Sequence, residues 1–168
     1  MCIECFEAEL DPDKLYDMWT RGGTTQVQVQ EQVKRELEVL TALSELEPPI
    51  IPQVLGLWGG LQRGYQVWMM VMEDAGDGLY GDLGEEDINA VMSLYERLHA
   101  AGFLHGDGQR RHMCRMSAKS SDPSAIRLID FDRAVTRAQL SEEEWLEQSK
   151  NECQSVLNGL RYSNEVGE

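Results

Sequence analysis

Apolar and polar positions succeed one another along this chain in blocks of differing period, and the blocks predict an order of elements. Residues 1–9 alternate, with Ile3 and Cys5 set against Cys2, Glu4 and Phe6, which reads as a short strand. The Asp11-Pro12-Asp13 turn signal closes it. From about Val27 to Leu46 the period becomes helical, with Val33, Leu37, Leu40 and Ser44 on one face and Leu43 beside it. The segment EPPIIP stops that helix, because proline cannot continue it and restrains the residue before it. QVLGLW and YQVWMMVM then read as two strands joined through GGLQRG. The second is nearly all apolar, as expected of a strand covered on both faces.

The segment GEEDINAVMSLYERLHAAG is the clearest helix. Ile88, Val91, Met92, Tyr95 and Leu98 fall at helical spacing, acids sit at its start, and Gly102 suits the position just past its end. Two short strands follow FLHGD, namely HMCRM and IRLID, separated by the polar loop SAKSSDPSA. A last helix covers SEEEWLEQSKNECQSVLNGL, opened by a capping box of Ser141 and Glu144. The order predicts an α+β fold built around an antiparallel hairpin. There is no internal repeat and no low-complexity tract.

Composition adds a class and excludes others. A chain of 168 residues, 42% hydrophobic and 27% charged, is that of an ordinary globular domain. No apolar run approaches the roughly 20 residues of a membrane-spanning helix, and MCIECFEAEL has no basic leader, so a cytoplasmic location is expected. Of the four cysteines, Cys2 and Cys5 form a C-x-x-C with no second pair. Buried strand cysteines account for them more simply than zinc or disulfides. The net charge of −15 argues against nucleic-acid and anionic-membrane partners. The charge is uneven, however. Residues 110–137 carry seven basic side chains and three acidic ones, a local +4 against −19 elsewhere. This basic island makes Arg110 and Arg111 candidate contacts for a nucleotide or another anionic ligand, and a protein partner is the alternative.

The candidate chemistry lies in the order of several short motifs: a helix carrying Glu36 on its apolar side, two strands, Met72-Glu73 at a strand end, a long helix, His105-Gly106-Asp107, and Asp130-Phe131-Asp132. This order resembles the protein-kinase-like superfamily, and is similar to its aminoglycoside phosphotransferase, choline kinase and fungal-type branches. The resemblance covers about residues 1–135. It implies a reduced two-lobe kinase-like fold, with a partial small lobe at residues 1–74 and a minimal, mostly helical large lobe at 75–168. It implies ATP and magnesium as cofactors. Asp107 and His105 match the catalytic loop, Asp107 as the group that accepts the acceptor's hydroxyl proton. Asp130 matches the metal aspartate, and His112 stands where the family has a metal-binding asparagine. Glu36 matches the glutamate that pairs with the ATP-binding lysine. Glu73 and Ala75 match the hinge that binds adenine through its backbone.

The pattern also departs from the family. The resemblance starts at the strand that follows the glycine-rich loop, and Glu4 stands where the strand lysine belongs. Magnesium prefers oxygen ligands, whereas a neutral imidazole suits zinc, iron or nickel better. The expectation is a degenerate kinase-like domain, phosphotransferase by ancestry and inactive or weakly active in this chain, with a non-catalytic interaction module of α+β class as the alternative.

Overall fold

A computed structural model describes residues 2–8, 26–62, 65–116, 122 and 125–162. Three antiparallel strands form the first sheet: β1 (Cys2–Ala8), β2 (Val54–Gln62) and β3 (Tyr65–Met72), in the order β1-β3-β2. Cys2 lies opposite Met72 and Ala8 opposite Gln66, and on the other side Gln62 pairs with Tyr65. The strands therefore extend into the GGLQRG segment expected to connect them, and residues 63–64 lie outside the described residues. The backbone of β1 is described but its side chains are not, so the expectation for Cys2 and Cys5 lies outside the described residues. Cys114 and Cys153 are free thiols.

Helix α1 (Gln26–Leu43) lies against this sheet. Its buried stripe is Val29, Val33, Glu36, Leu40 and Leu43, one residue per turn at spacings of four and three. Leu37 is 36% exposed and Ser44 is exposed, so the face predicted from them is rotated away from the core. Val39, absent from the predicted face, is fully buried. Central pairing, not double cover, explains the apolar β3. Met70 and Met72 are buried in the core, while Met69 on the opposite face is exposed.

Beyond β3 the chain makes β4 (Asp77–Gly78), then helix α2 (Glu85–Ala100) and β5 (Phe103–Leu104). Gly102 adopts φ +87° just after α2, as the sequence predicts for a helix end. Helix α2 buries Ile88, Val91, Leu94, Tyr95 and Leu98, with Met92 only partly covered. β6 (Met113–Arg115) and β7 (Ile126–Leu128) complete a sheet in the order β4-β6-β7. β8 (Val135–Thr136) pairs with β5. Helix α3 (Glu142–Tyr162) follows, and its capping box is present: the Ser141 N–H donates to Glu144 (2.8 Å) and the Glu144 N–H to the Ser141 hydroxyl (3.3 Å). One hydrophobic cluster joins α1, both three-stranded sheets, α2 and α3, with Tyr95 and Phe131 as its largest fully buried side chains.

Candidate functional site

Two short strand pairings assemble the loops that carry the polar motifs. Pairing of Phe103 with Thr136 and of Leu104 with Val135 lays the 105–109 loop beside the 130–134 loop. The fit is close. Gly106 sits at φ +79°, and a Cβ there would lie 2.2 Å from the Arg133 carbonyl oxygen, so no other residue fits. Met113 pairs with Leu128, and the Ile129 N–H donates to the His112 carbonyl (3.0 Å), which draws His112 against Asp130.

Asp107, His112 and Asp130 are therefore neighbours. His112 is buried; its Nδ1 lies 3.0 Å from the Asp107 carbonyl oxygen and its Nε2 3.0 Å from Asp130 Oδ2. The Arg111 Nε–H also points at His112 Nε2, at 2.8 Å. One nitrogen cannot both accept from Arg111 and donate to Asp130. Burial pulls the His112 pKa down, but the hydrogen bonds to Asp130 and Asp107 and their charges outweigh it, and the net shift is upward. Protonation of His112, which would let both ring nitrogens donate to these oxygens, is therefore easier than in a free histidine. The same contact to His112 holds the Asp130 carboxyl below its usual range. Asp132 is raised, first by burial and then by the Asp130 charge beside it. Asp130 itself adopts φ +67°, a left-handed conformation that aspartate tolerates better than most residues. The Asp107 carboxylate faces two guanidiniums, Arg133 at 3.5 Å and Arg111 at 3.8 Å.

His105 is fully buried and reaches no solvent. Its Nε2 meets the Ile129 carbonyl at 3.0 Å, and its ring stacks on Phe131 with centroids 4.7 Å apart. Desolvation lowers its pKa. Glu36 is 1% exposed and lies at the same loop, where its Oε1 accepts the Phe131 N–H at 3.1 Å. Its neighbours reinforce that tie, since Arg35 donates to the Asp132 carbonyl (2.8 Å). Helix α1 is thereby latched to the Asp130-Phe131-Asp132 segment. Glu4 pairs through its backbone with Met70, and its side chain lies outside the described residues. Glu73 and Ala75 stand together at the end of β3. The Glu73 N–H is taken by the Gln53 carbonyl (2.8 Å), and Ala75 is buried.

Sequence reasoning missed Glu152. This α3 carboxylate accepts the backbone N–H of Gly106 (2.8 Å) and of His105 (3.2 Å), and its Oε2 lies 2.7 Å from His99 Nε2. Burial alone would raise its pKa; these hydrogen bonds outweigh burial and lower it. Glu152 therefore fixes the backbone on which Asp107 is mounted. Glu152 has no local signal, because it lies in a charged helix 46 residues from Gly106. Arg133 belongs to the basic island at 110–137 but was not singled out from it.

Two carboxylates are what magnesium commonly takes from a protein, with phosphate oxygens and water completing its shell. Asp130 and Asp132 lie close enough for the Asp130 charge to raise the Asp132 pKa, so they fit that role. Among the described residues no three His, Cys, Asp or Glu side chains form a ready-made cage, and magnesium at a nucleotide does not require one. Nor is any described helix long and apolar enough to cross a membrane.

Comparison with known proteins follows the same line. The model of the lipopolysaccharide kinase (Kdo/WaaP) family matches residues 63–153. Among solved structures, the chain is similar to the crystal structure of the BubR1 kinase domain, with a TM-score of 0.52 at 14% sequence identity. That alignment covers 77% of this chain and 51% of the other, so the chain spans about half the length of that kinase domain. The likeness shows the kinase fold. No curated protein sequence matches the chain.

Proposed function

We propose that this chain, which belongs to the lipopolysaccharide kinase (Kdo/WaaP) family, transfers the terminal phosphoryl group of ATP to a hydroxyl of a carbohydrate acceptor. In this reading the acceptor oxygen forms a bond to the γ-phosphorus as the bond to the departing ADP oxygen breaks. Asp107 takes the hydroxyl proton. Asp130 and Asp132 hold magnesium, which when bound neutralises charge on the phosphates. Arg111 and Arg133, both within 4 Å of Asp107, offset the charge that gathers there. His105 has a supporting role, packing Phe131 beneath the loop. Glu36 holds the metal-motif loop through the Phe131 N–H, and Glu73 and Ala75 line the adenine end.

The observation that carries this reading is the convergence of Asp107 and Asp130 on His112, with the loop of Asp107 pinned by Glu152. A second reading, a kinase fold with weak activity or none, draws on the same contact. His112 engages the carboxylate that a metal would need, and Glu4 stands at the strand position of the lysine. One experiment separates them. ATP plus magnesium should raise the melting temperature of the parent, and Asp130→Asn should abolish the rise. Phosphate transfer to lipopolysaccharide-derived sugars should fall by about 10²-fold or more in Asp107→Asn. A shift with no transfer supports the second reading, and neither shift nor transfer refutes both the ATP site and the activity.

A further inference from the structure

A cavity of about 640 Å³ lies between the second half of α1 and the 47–54 segment that leads into β2. Ligand pockets commonly measure roughly 300–1,000 Å³. Leu37, Leu40, Ile51 and Val54 supply its apolar lining. Leu40 and Ile51 are buried, whereas Leu37 is 36% exposed, so the apolar surface continues from the floor to the mouth. Of the residues assigned to the site above, Glu73 alone reaches this cavity.

The polar side chains of the lining are rich in acceptors. The Thr41 hydroxyl donates to the Leu37 carbonyl (2.7 Å) and the Ser44 hydroxyl to the Thr41 carbonyl (2.7 Å). Both protons are thus spent on α1 itself, and the oxygens keep lone pairs for a ligand. Glu47 and Glu73 add two carboxylates, against the single side-chain amide of Gln53. Glu73 accepts the Gln53 backbone N–H (3.3 Å), and the charge of Arg127 acts on it. Glu47 makes no ion pair among the described residues. Helix α1 also ends here with no basic residue in its last turn, and a helix C-terminus carries a partial negative charge that favours a cation.

An apolar floor beneath carboxylates and a helix C-terminus matches a side chain that joins an aliphatic stem to a cation, as lysine and arginine do. From Leu37 to its end at Leu43 the α1 wall runs about 9 Å, the span of roughly three residues of extended peptide. We infer that this cavity is a docking groove for a partner peptide that presents an aliphatic side chain next to arginine or lysine. A peptide seated there rests on the helix that carries Glu36 and touches Glu73. The inference does not depend on whether the chain transfers phosphate.

Fluorescence polarisation on the full chain tests it with three labelled hexapeptides: one of leucine and arginine, one with glutamate in place of arginine, and one with serine in place of leucine. The leucine–arginine peptide should bind about tenfold or more tightly than either control. Thr41→Arg places a cation in the groove and should weaken that binding by about tenfold. Glu47→Gln and Leu37→Gln should each weaken it by about threefold or more. Leu37→Gln changes no charge, lies at an exposed position and keeps a good helix former, so it carries the test should Thr41→Arg fail to fold. Equal binding of the serine–arginine peptide would reduce the contact to attraction by the net charge of −15 and overturn the inference. Folded variants that bind as the parent does, or a parent that binds none of the peptides, overturn it as well.

Discussion

Replacing Glu152 by glutamine tests whether the backbone of the catalytic loop is held by charge. The carboxylate receives two backbone N–H groups, from His105 at 3.2 Å and Gly106 at 2.8 Å, and meets the His99 ring at 2.7 Å. Only 11% of its side chain is exposed, so water replaces little of what is lost. A hydrogen bond to an ionised acceptor contributes about 1.5–3 kcal/mol. Glutamine keeps one carbonyl oxygen and turns an NH₂ group toward the remaining donors, so one or two of the three contacts fail. The expected cost is about 2–4 kcal/mol, read as a fall in the urea midpoint at neutral pH with an unchanged slope.

The pH dependence has a definite sign. Because the folded-state pKa of Glu152 is lowered, its stabilisation is fully present above the unfolded value, about 4.3, and is lost as pH falls through the folded one. The gap between parent and Glu152→Gln should therefore be widest near neutrality and close in acid. A gap under about 1 kcal/mol at neutral pH, or one that does not narrow on acidification, refutes the assignment of a charged anchor.

Two further outcomes follow from the packing. Gly108→Ala should cost about 1–3 kcal/mol, because its Cβ would meet Val156 Cγ2 at 2.6 Å; thermal melts should show the loss, and Val156→Ala in the same chain should recover part of it. Glu36→Leu removes the acceptor of the buried Phe131 N–H and should cost about 1–3 kcal/mol in urea unfolding, with Glu36→Gln retaining most of the stability because its carbonyl can still accept.

What the sequence determined by itself was local or ordinal. Period and punctuation located α2, its glycine end and the Ser141–Glu144 cap, because each depends on residues within a few positions of one another. The succession of Glu36, Asp107 and Asp130 pointed to the kinase-like fold, since motif order survives where side chains have changed. Order alone reached the superfamily, and the match over residues 63–153 supplied the family.

Tertiary structure decided the rest. The inner face of α1 was placed rightly at Glu36 but misread by a fraction of a turn at Leu37 and Val39, because which of these is buried is chosen by the elements that cover the helix and not by the helix itself. Placing Glu36 on the Phe131 N–H spans 95 residues, and placing Glu152 under Gly106 spans 46. No periodicity encodes such pairs. They arise because the two-residue pairing of β5 with β8 brings distant loops together and leaves backbone donors that must find acceptors once water is excluded. The same pairing decides that His105 is buried structure, while Asp107, two residues on, faces the arginines.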